Sequence, residues 1–226
     1  MTQTFPFHIV GFDLDGTLID SAEDLRAALN HVLVREGRRT VTSAEGRSLI
    51  GAGTKNMLAR GLSLTGAPGT PDQITGLTTD LIAHYAAHIA VHSRLFPGAL
   101  AMLDALDARG VKIALVTNKL EHLAVKLLDA LGLSSRFYTI LGGDSLGPGK
   151  AKPAPDLLHA MIARAGLDAP RTAYVGDTTF DVRAARAAGL PVVAVRFGFN
   201  DLPADELGAD AVIDHFDALV PALSRL

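Results

Sequence analysis

Beyond Phe96-Pro97-Gly98 the sequence alternates short β-rich runs with helical stretches, and this alternation limits the possible folds more than any other feature of the chain. Strand-type runs fall at Val111–Val116, Tyr138–Leu141, Ala173–Val175, Pro191–Val195 and Ala211–Ile213. Helical patterns lie among them at Leu100–Arg109, Leu120–Leu131, Pro155–Ala165, Asp181–Ala188 and Phe216–Leu223. Parallel strands are joined by crossovers that usually contain a helix. The order therefore predicts a parallel sheet with helices packed against it. Ile9 to Phe12 is apolar and reads as one more buried strand. From Ser21 to about Ser93 the pattern is helical, with Leu25, Ala28, Leu29, Val32 and Leu33 at helical spacing and Gly37 as a stop. The predicted fold is a doubly wound α/β core, residues 1–20 and 94–226, with an all-helical insert, residues 21–93, after its first strand.

Such sheets bind ligands beyond the carboxyl ends of their strands. The first strand runs into Asp13 and Asp15, two apart and hence on one face if the strand continues. Two carboxylates about 4 Å apart repel by roughly 4 kcal/mol at an effective dielectric near 20. The run Val111–Val116 ends in Thr117-Asn118, and Ala173–Val175 ends in Gly176-Asp177 with Asp181 four residues on. Lys150-Ala151-Lys152-Pro153-Ala154-Pro155 forms a loop that opens a helix. Singly, each has a plainer reading as a helix cap, a turn or a solvated loop. Together, four converging carboxylates with Lys152 as their single offset predict a hard divalent cation, Mg2+, shared with a phosphate.

Composition removes several alternatives. Acidic residues outnumber basic ones by 24 to 21, which does not give the basic surface of a nucleic-acid binder. The absence of cysteine excludes disulfides, thiolate metal sites and a cysteine nucleophile. No apolar stretch approaches the length of about 20 residues needed to span a bilayer. Met1–His8 lacks the cationic start and apolar run of a signal peptide. The expectation is a soluble, cytoplasmic protein with no nucleic-acid or membrane partner, its oligomeric state left open.

The string Asp13-Leu14-Asp15-Gly16-Thr17-Leu18, after an apolar strand and before Asp20-Ser21, resembles the first motif of the haloacid dehalogenase superfamily. Thr117, Lys152 before Pro153-Ala154-Pro155, and Gly176-Asp177 with Asp181 resemble the other three motifs in order. The likeness spans residues 8–20 and 96–195. It implies a nucleophile at Asp13 and an acid/base at Asp15, whose carboxyl would be kept protonated by its neighbour Asp13. It further implies that Thr117, Asn118 and Lys152 bind phosphate, with Thr117 and Lys152 also counted as catalytic. Metal binding would fall to Asp13, Asp15 through its backbone carbonyl, and Asp177, with Asp181 supporting them. The second aspartate at position 15 implies phosphate-ester chemistry and not carbon–halogen cleavage.

Within the insert, Ile50-Gly51-Ala52-Gly53 through Leu58 and Arg60 resembles the cap loop of phosphoglycolate phosphatases. A structural glycine break is the equal alternative. Lys55, the insert's single lysine, is the candidate contact for a substrate carboxylate. His84, His88 and His92 lie four apart, a spacing open to a metal but more simply a polar helix stripe. The combined expectation is Mg2+-dependent hydrolysis of a small phosphate monoester, with 2-phosphoglycolate first, through an aspartyl-phosphate. The alternatives are a phosphatase or phosphomutase for another metabolite, such as a sugar phosphate or pyrophosphate. A phospho-aspartate signalling module is the alternative of a different class.

Overall fold

A computed structural model describes residues 5–167 and 170–226. Part of the reading of Met1–His8 rests on residues 1–4 and lies outside the described residues. In chain order the elements are β1 (Ile9–Phe12), β2 (Ile19–Asp20), α1 (Ala22–Arg35), α2 (Ser43–Leu49), α3 (Thr54–Thr65) and α4 (Pro71–Ala87). They continue with β3 (Arg94–Leu95), α5 (Ala99–Asp107), β4 (Lys112–Val116), α6 (Glu121–Ala130), β5 (Thr139–Leu141) and α7 (Asp156–Arg164). The chain closes with β6 (Thr172–Gly176), α8 (Thr179–Ala187), β7 (Val192–Val195), β8 (Ala211–Ile213) and α9 (Leu219–Leu223).

Six strands form one sheet in the order β5-β4-β1-β6-β7-β8, with every neighbouring pair parallel. The strand order reverses at β1. The chain builds outward through β4 and β5, then returns to β6 on the other side. That reversal opens a crevice at the ends of β1, β4 and β6, where doubly wound sheets place their ligands.

Strand alternation divides the apolar residues between two cores. Val10, Phe12, Leu115 and Val175 face one, together with α5, α6 and α9. Ile9, Ala114, Val116 and Tyr174 face the other, covered by α7 and α8. Gly11 lies on this second face because α7 passes close: a Cβ there would stand 2.5 Å from Met161 Sδ. Both faces of the sheet are dry, which explains the nearly unbroken apolar runs of its strands.

Residues 22–87 form four helices. Thr42 and Glu45 make a capping box at the start of α2, and Thr70 caps α4 ahead of Pro71. Helix α1 packs against α2, α3 and α4, and their buried side chains join the first core without a break. The insert is entered and left through a feature the helical pattern did not predict, an antiparallel pairing of β2 with β3, Ile19 opposite Leu95 and Asp20 opposite Arg94. Two-residue strands carry too little alternation to register in a sequence.

The histidines do not form a metal site. His84 stacks on His31 of α1 at 4.0 Å and on His88 at 4.4 Å, so the rings meet face to face. His92 stands apart, its backbone N–H donated to Asp24. Burial and its two ring neighbours hold His84 below the ordinary histidine range. Among the described residues no helix is long and apolar enough to cross a membrane.

Candidate active site

Strand β1 stops at Phe12, one residue before the first aspartate. The sequence expectation that Asp13 and Asp15 share a strand face therefore does not apply. They occupy a tight turn in which Thr17, Leu18 and Ile19 donate their amides to the Leu14 carbonyl. Gly16 holds a φ of 84° in that turn, a left-handed value that favours glycine. The turn still aims both carboxylates into one cavity of about 430 Å³, measured to its open mouth.

Each carboxylate has its own lysine. Lys152 Nζ stands 3.0 Å from Asp13 Oδ1 and 2.6 Å from Asp181 Oδ1, and donates to the Tyr174 hydroxyl at 2.9 Å. Lys119 Nζ donates to both oxygens of Asp15, at 3.0 and 2.9 Å. The neighbour that Asp15 touches is thus a lysine and not Asp13, and Lys152 is not the only offset to the acidic groups. Both lysines are almost fully buried. Burial acts to lower the two ammonium groups, but Asp15 beside Lys119, and Asp13 with Asp181 beside Lys152, hold each above its ordinary value. Lys150, by contrast, forms a surface pair with Asp156.

Asp177 and Asp181 differ in how much of their bonding is already used. Asp181 Oδ2 accepts from the amides of Asp177 and Thr178 and from the Thr178 hydroxyl. Its Oδ1 accepts from Lys152 and Tyr174. Asp177 accepts one bond on each oxygen, from the Thr17 hydroxyl at 2.8 Å and from the Phe199 amide at 2.7 Å. A carboxylate oxygen has two lone pairs, so Asp177 keeps capacity for a ligand. Asp13 Oδ1 is buried and its charged neighbour is the Lys152 ammonium at 3.0 Å.

Asp13, Asp177 and Asp181 each offer an oxygen within 4.8 Å of the others, a set that can hold a metal ion. Four carboxylates against two lysines leave an excess of acidic groups in the buried site. Burial pushes Asp13 up to about 6, against the pull of Lys152. Burial, with Asp181 and Asp13 close by, holds Asp177 well above the usual carboxylate range. A cation would relieve both.

Thr117 follows β4, its hydroxyl toward Asp13 and accepting from the Lys119 amide at 3.3 Å. The Asn118 side chain donates to the carbonyls of Gly51, at 3.4 Å, and Lys152, at 3.1 Å, so it ties the insert to two core loops. Its Oδ1 is buried without a partner. Leu25, Ile50, Gly51, Gly53, Thr54 and Met57 form the insert's wall of the cavity. Lys55 is exposed and is not among the residues that line the cavity. Helix α3 begins at Gly53 with no side-chain cap and no acidic residue in its first turn.

Ser21, a plausible helix cap by sequence, stands at the start of α1 but donates its hydroxyl to Asp15. Sequence reasoning missed Lys119, Thr17, Tyr174 and the 198–199 loop. Lys119 directly follows Thr117-Asn118, and the strand-end rule applied one residue further would have reached it. Applied to β7, the same rule would have reached Phe199.

Residues 10–195 match the family described as haloacid dehalogenase-like hydrolase. A phosphoglycolate phosphatase of Agrobacterium fabrum is 42% identical over 214 residues, covering 94% of this chain and 90% of that protein. One of Caulobacter vibrioides is 41% identical over 207 residues, covering 92% and 86%. A crystal structure of a predicted phosphoglycolate phosphatase from Haemophilus somnus superposes with a TM-score of 0.88 at 30% identity, covering 95% of this chain and 97% of that one.

Proposed function

The chain belongs to the haloacid dehalogenase-like hydrolase family, and we propose that within it this protein hydrolyses 2-phosphoglycolate, or a phosphate monoester of closely similar size, with Mg2+. The observation that carries the reading is the buried cluster of Asp13, Asp177 and Asp181, with Lys152 3.0 Å from Asp13, at the reversal of the sheet. Phosphoglycolate enters as the substrate named for the relatives at 41–42% identity.

Asp13 is the nucleophile in this reading. Its carboxylate attacks phosphorus in line, the ester oxygen leaves, and an aspartyl-phosphate forms that water then hydrolyses. Lys152 fixes Asp13 and neutralises charge on the phosphoryl oxygens, while the Thr117 hydroxyl and the neighbouring Asn118 orient them. Asp15 lines the same cavity, paired to Lys119; it takes the proton of the attacking water and gives that proton to the leaving oxygen of the next ester. Asp13, Asp177 and the Asp15 carbonyl would hold the Mg2+, with Asp181 positioning Asp177 by its bonds to the Asp177 and Thr178 amides. The ion would supply charge neutralisation at the transferring phosphoryl group.

Residues 1–20 and 94–226 are then the catalytic core and 21–93 a cap. The Gly51–Thr54 wall is the part of the cap placed to meet the leaving group. The reading also implies a cytoplasmic enzyme acting on a small metabolite.

The test is phosphate release from 2-phosphoglycolate, sugar phosphates and pyrophosphate, with Mg2+ and with chelator. Preferred, Mg2+-dependent release from phosphoglycolate and a phosphorylated Asp13 peptide after rapid quench are expected. A phosphate moved within the substrate without release would replace the reading with a mutase.

A further inference from the structure

We propose that Lys119 is the residue that selects a carboxylate-bearing substrate. The inference rests on the reading above and assigns the part of the substrate that does not react. Among the described residues lining the cavity Lys119 is the one cation; the other charged groups there are Asp13 and Asp15. A substrate carboxylate entering this space is repelled by both aspartates and has one cationic side chain to meet among the described lining residues. Lys152 is committed at the phosphoryl end, to Asp13, Asp181 and Tyr174. Lys55 is exposed and does not line the cavity.

Lys119 also has a proton to give. An ammonium has three N–H groups, and the hydrogen-bond acceptors of Nζ are the two oxygens of one carboxylate. The ring of Tyr85 lies 4.4 Å from Nζ, a cation–π contact that fixes the ammonium from the insert side. Tyr85 is buried and comes from α4, so the insert determines where this charge stands. A buried lysine serving two carboxylates is already present in the same site: Lys152 meets Asp13 and Asp181 together. Lys119 meets Asp15 now and is placed to meet Asp15 and a substrate carboxylate together.

The test compares 2-phosphoglycolate with 2-hydroxyethyl phosphate, which carries an alcohol in place of the carboxylate. Lys119 touches Asp15, so Lys119→Met is expected to slow both substrates. What reports on the proposal is the ratio of their kcat/KM values. That ratio is expected to fall by about tenfold or more in Lys119→Met, the usual worth of a hydrogen bond between charged groups. Lys119→Arg is expected to recover part of it, chiefly through KM. An unchanged ratio in Lys119→Met, with phosphoglycolate still preferred by the wild type, overturns the role of Lys119 and leaves the proposed function standing. A wild-type enzyme that does not prefer phosphoglycolate removes the reading beneath it. If Lys119→Met does not fold, Lys119→Arg carries the test alone: equal changes in KM for the two substrates overturn the proposal.

Discussion

Ser93 donates both its amide, at 2.9 Å, and its hydroxyl, at 2.7 Å, to the same oxygen of Asp24. Asp24 lies in the first turn of α1, where the chain enters the insert, and Ser93 lies where the chain leaves it. The His92 amide adds to the clasp. With the pairing of β2 and β3, this buried carboxylate joins the two crossings between insert and core.

Removing Asp24 should therefore cost more than a surface carboxylate would. Asp24→Ala leaves two amides and a hydroxyl without their acceptor, and a loss of about 2–4 kcal/mol is expected. Ser93→Ala should cost about 1 kcal/mol, since its amide bond remains. Urea denaturation of both variants and the double variant measures the coupling. Additive losses would show that the clasp is not one unit.

Asp13→Asn should abolish turnover yet make the metal-free protein more stable at neutral pH. Asp13 titrates near 3.8 when unfolded and is pushed up to about 6 in the fold. The folded state then holds the proton more tightly, so wild-type stability falls as pH rises through that window and levels off above it. The amide variant lacks this penalty. Its advantage should be absent near pH 4 and reach the order of 1–3 kcal/mol above pH 7. Calorimetry in chelator across that range checks it; a variant less stable than wild type at pH 8 would contradict the burial account.

Mg2+ should oppose the same penalty. Asp13 and Asp177 are both held above the ordinary carboxylate range by burial, and both must be ionised to hold the ion. The rise in melting temperature on adding Mg2+ should be large at pH 8 and shrink toward pH 5. A melting temperature indifferent to Mg2+ at pH 8 would remove the metal assignment.

Lys55→Ala should change kcat/KM for phosphoglycolate by no more than about twofold, as expected for an exposed side chain that lines no cavity. Steady-state kinetics decide this. A loss confined to carboxylated substrates would return the role to Lys55 and point to an insert that moves on binding.

The two halves of the site were unequally legible in the sequence. Asp13, Thr117 and Asp177 directly follow strands, so a correct strand assignment was enough to find them, whereas Lys152 lies in the loop ahead of α7 and was found by the prolines that follow it. What escaped was the pairing among them. That Asp15 belongs to Lys119, and that Ser21 bonds a carboxylate instead of its own helix, depend on how the turn after β1 is aimed. No residue periodicity encodes that aim. The insert's helices were visible as apolar stripes, but which of its residues face the cavity was not. Lys55 and Thr54 are neighbours in sequence, and only the second reaches the cavity.

Gly198 offers the strongest test of how Asp177 is held. It follows β7, outside every motif, and a Cβ there would stand 2.5 Å from the Gly16 carbonyl oxygen and press on the Asp177 side chain. Neither neighbour can yield easily: one is backbone in the turn that carries Asp15, and the other is the buried carboxylate itself. Gly198→Ala must therefore shift the loop, and with it the Phe199 amide that holds Asp177 Oδ2. Positioning groups of this kind are worth about 10–100-fold in metal affinity. The Mg2+ concentration for half-maximal activity should rise accordingly, while KM for the ester at saturating Mg2+ changes little, because the loop does not line the cavity. Titrating Mg2+ against activity and against the melting temperature measures the effect twice. An unaltered Mg2+ dependence would mean that Asp177 keeps its place without the loop, and that Thr17 alone is enough to hold it.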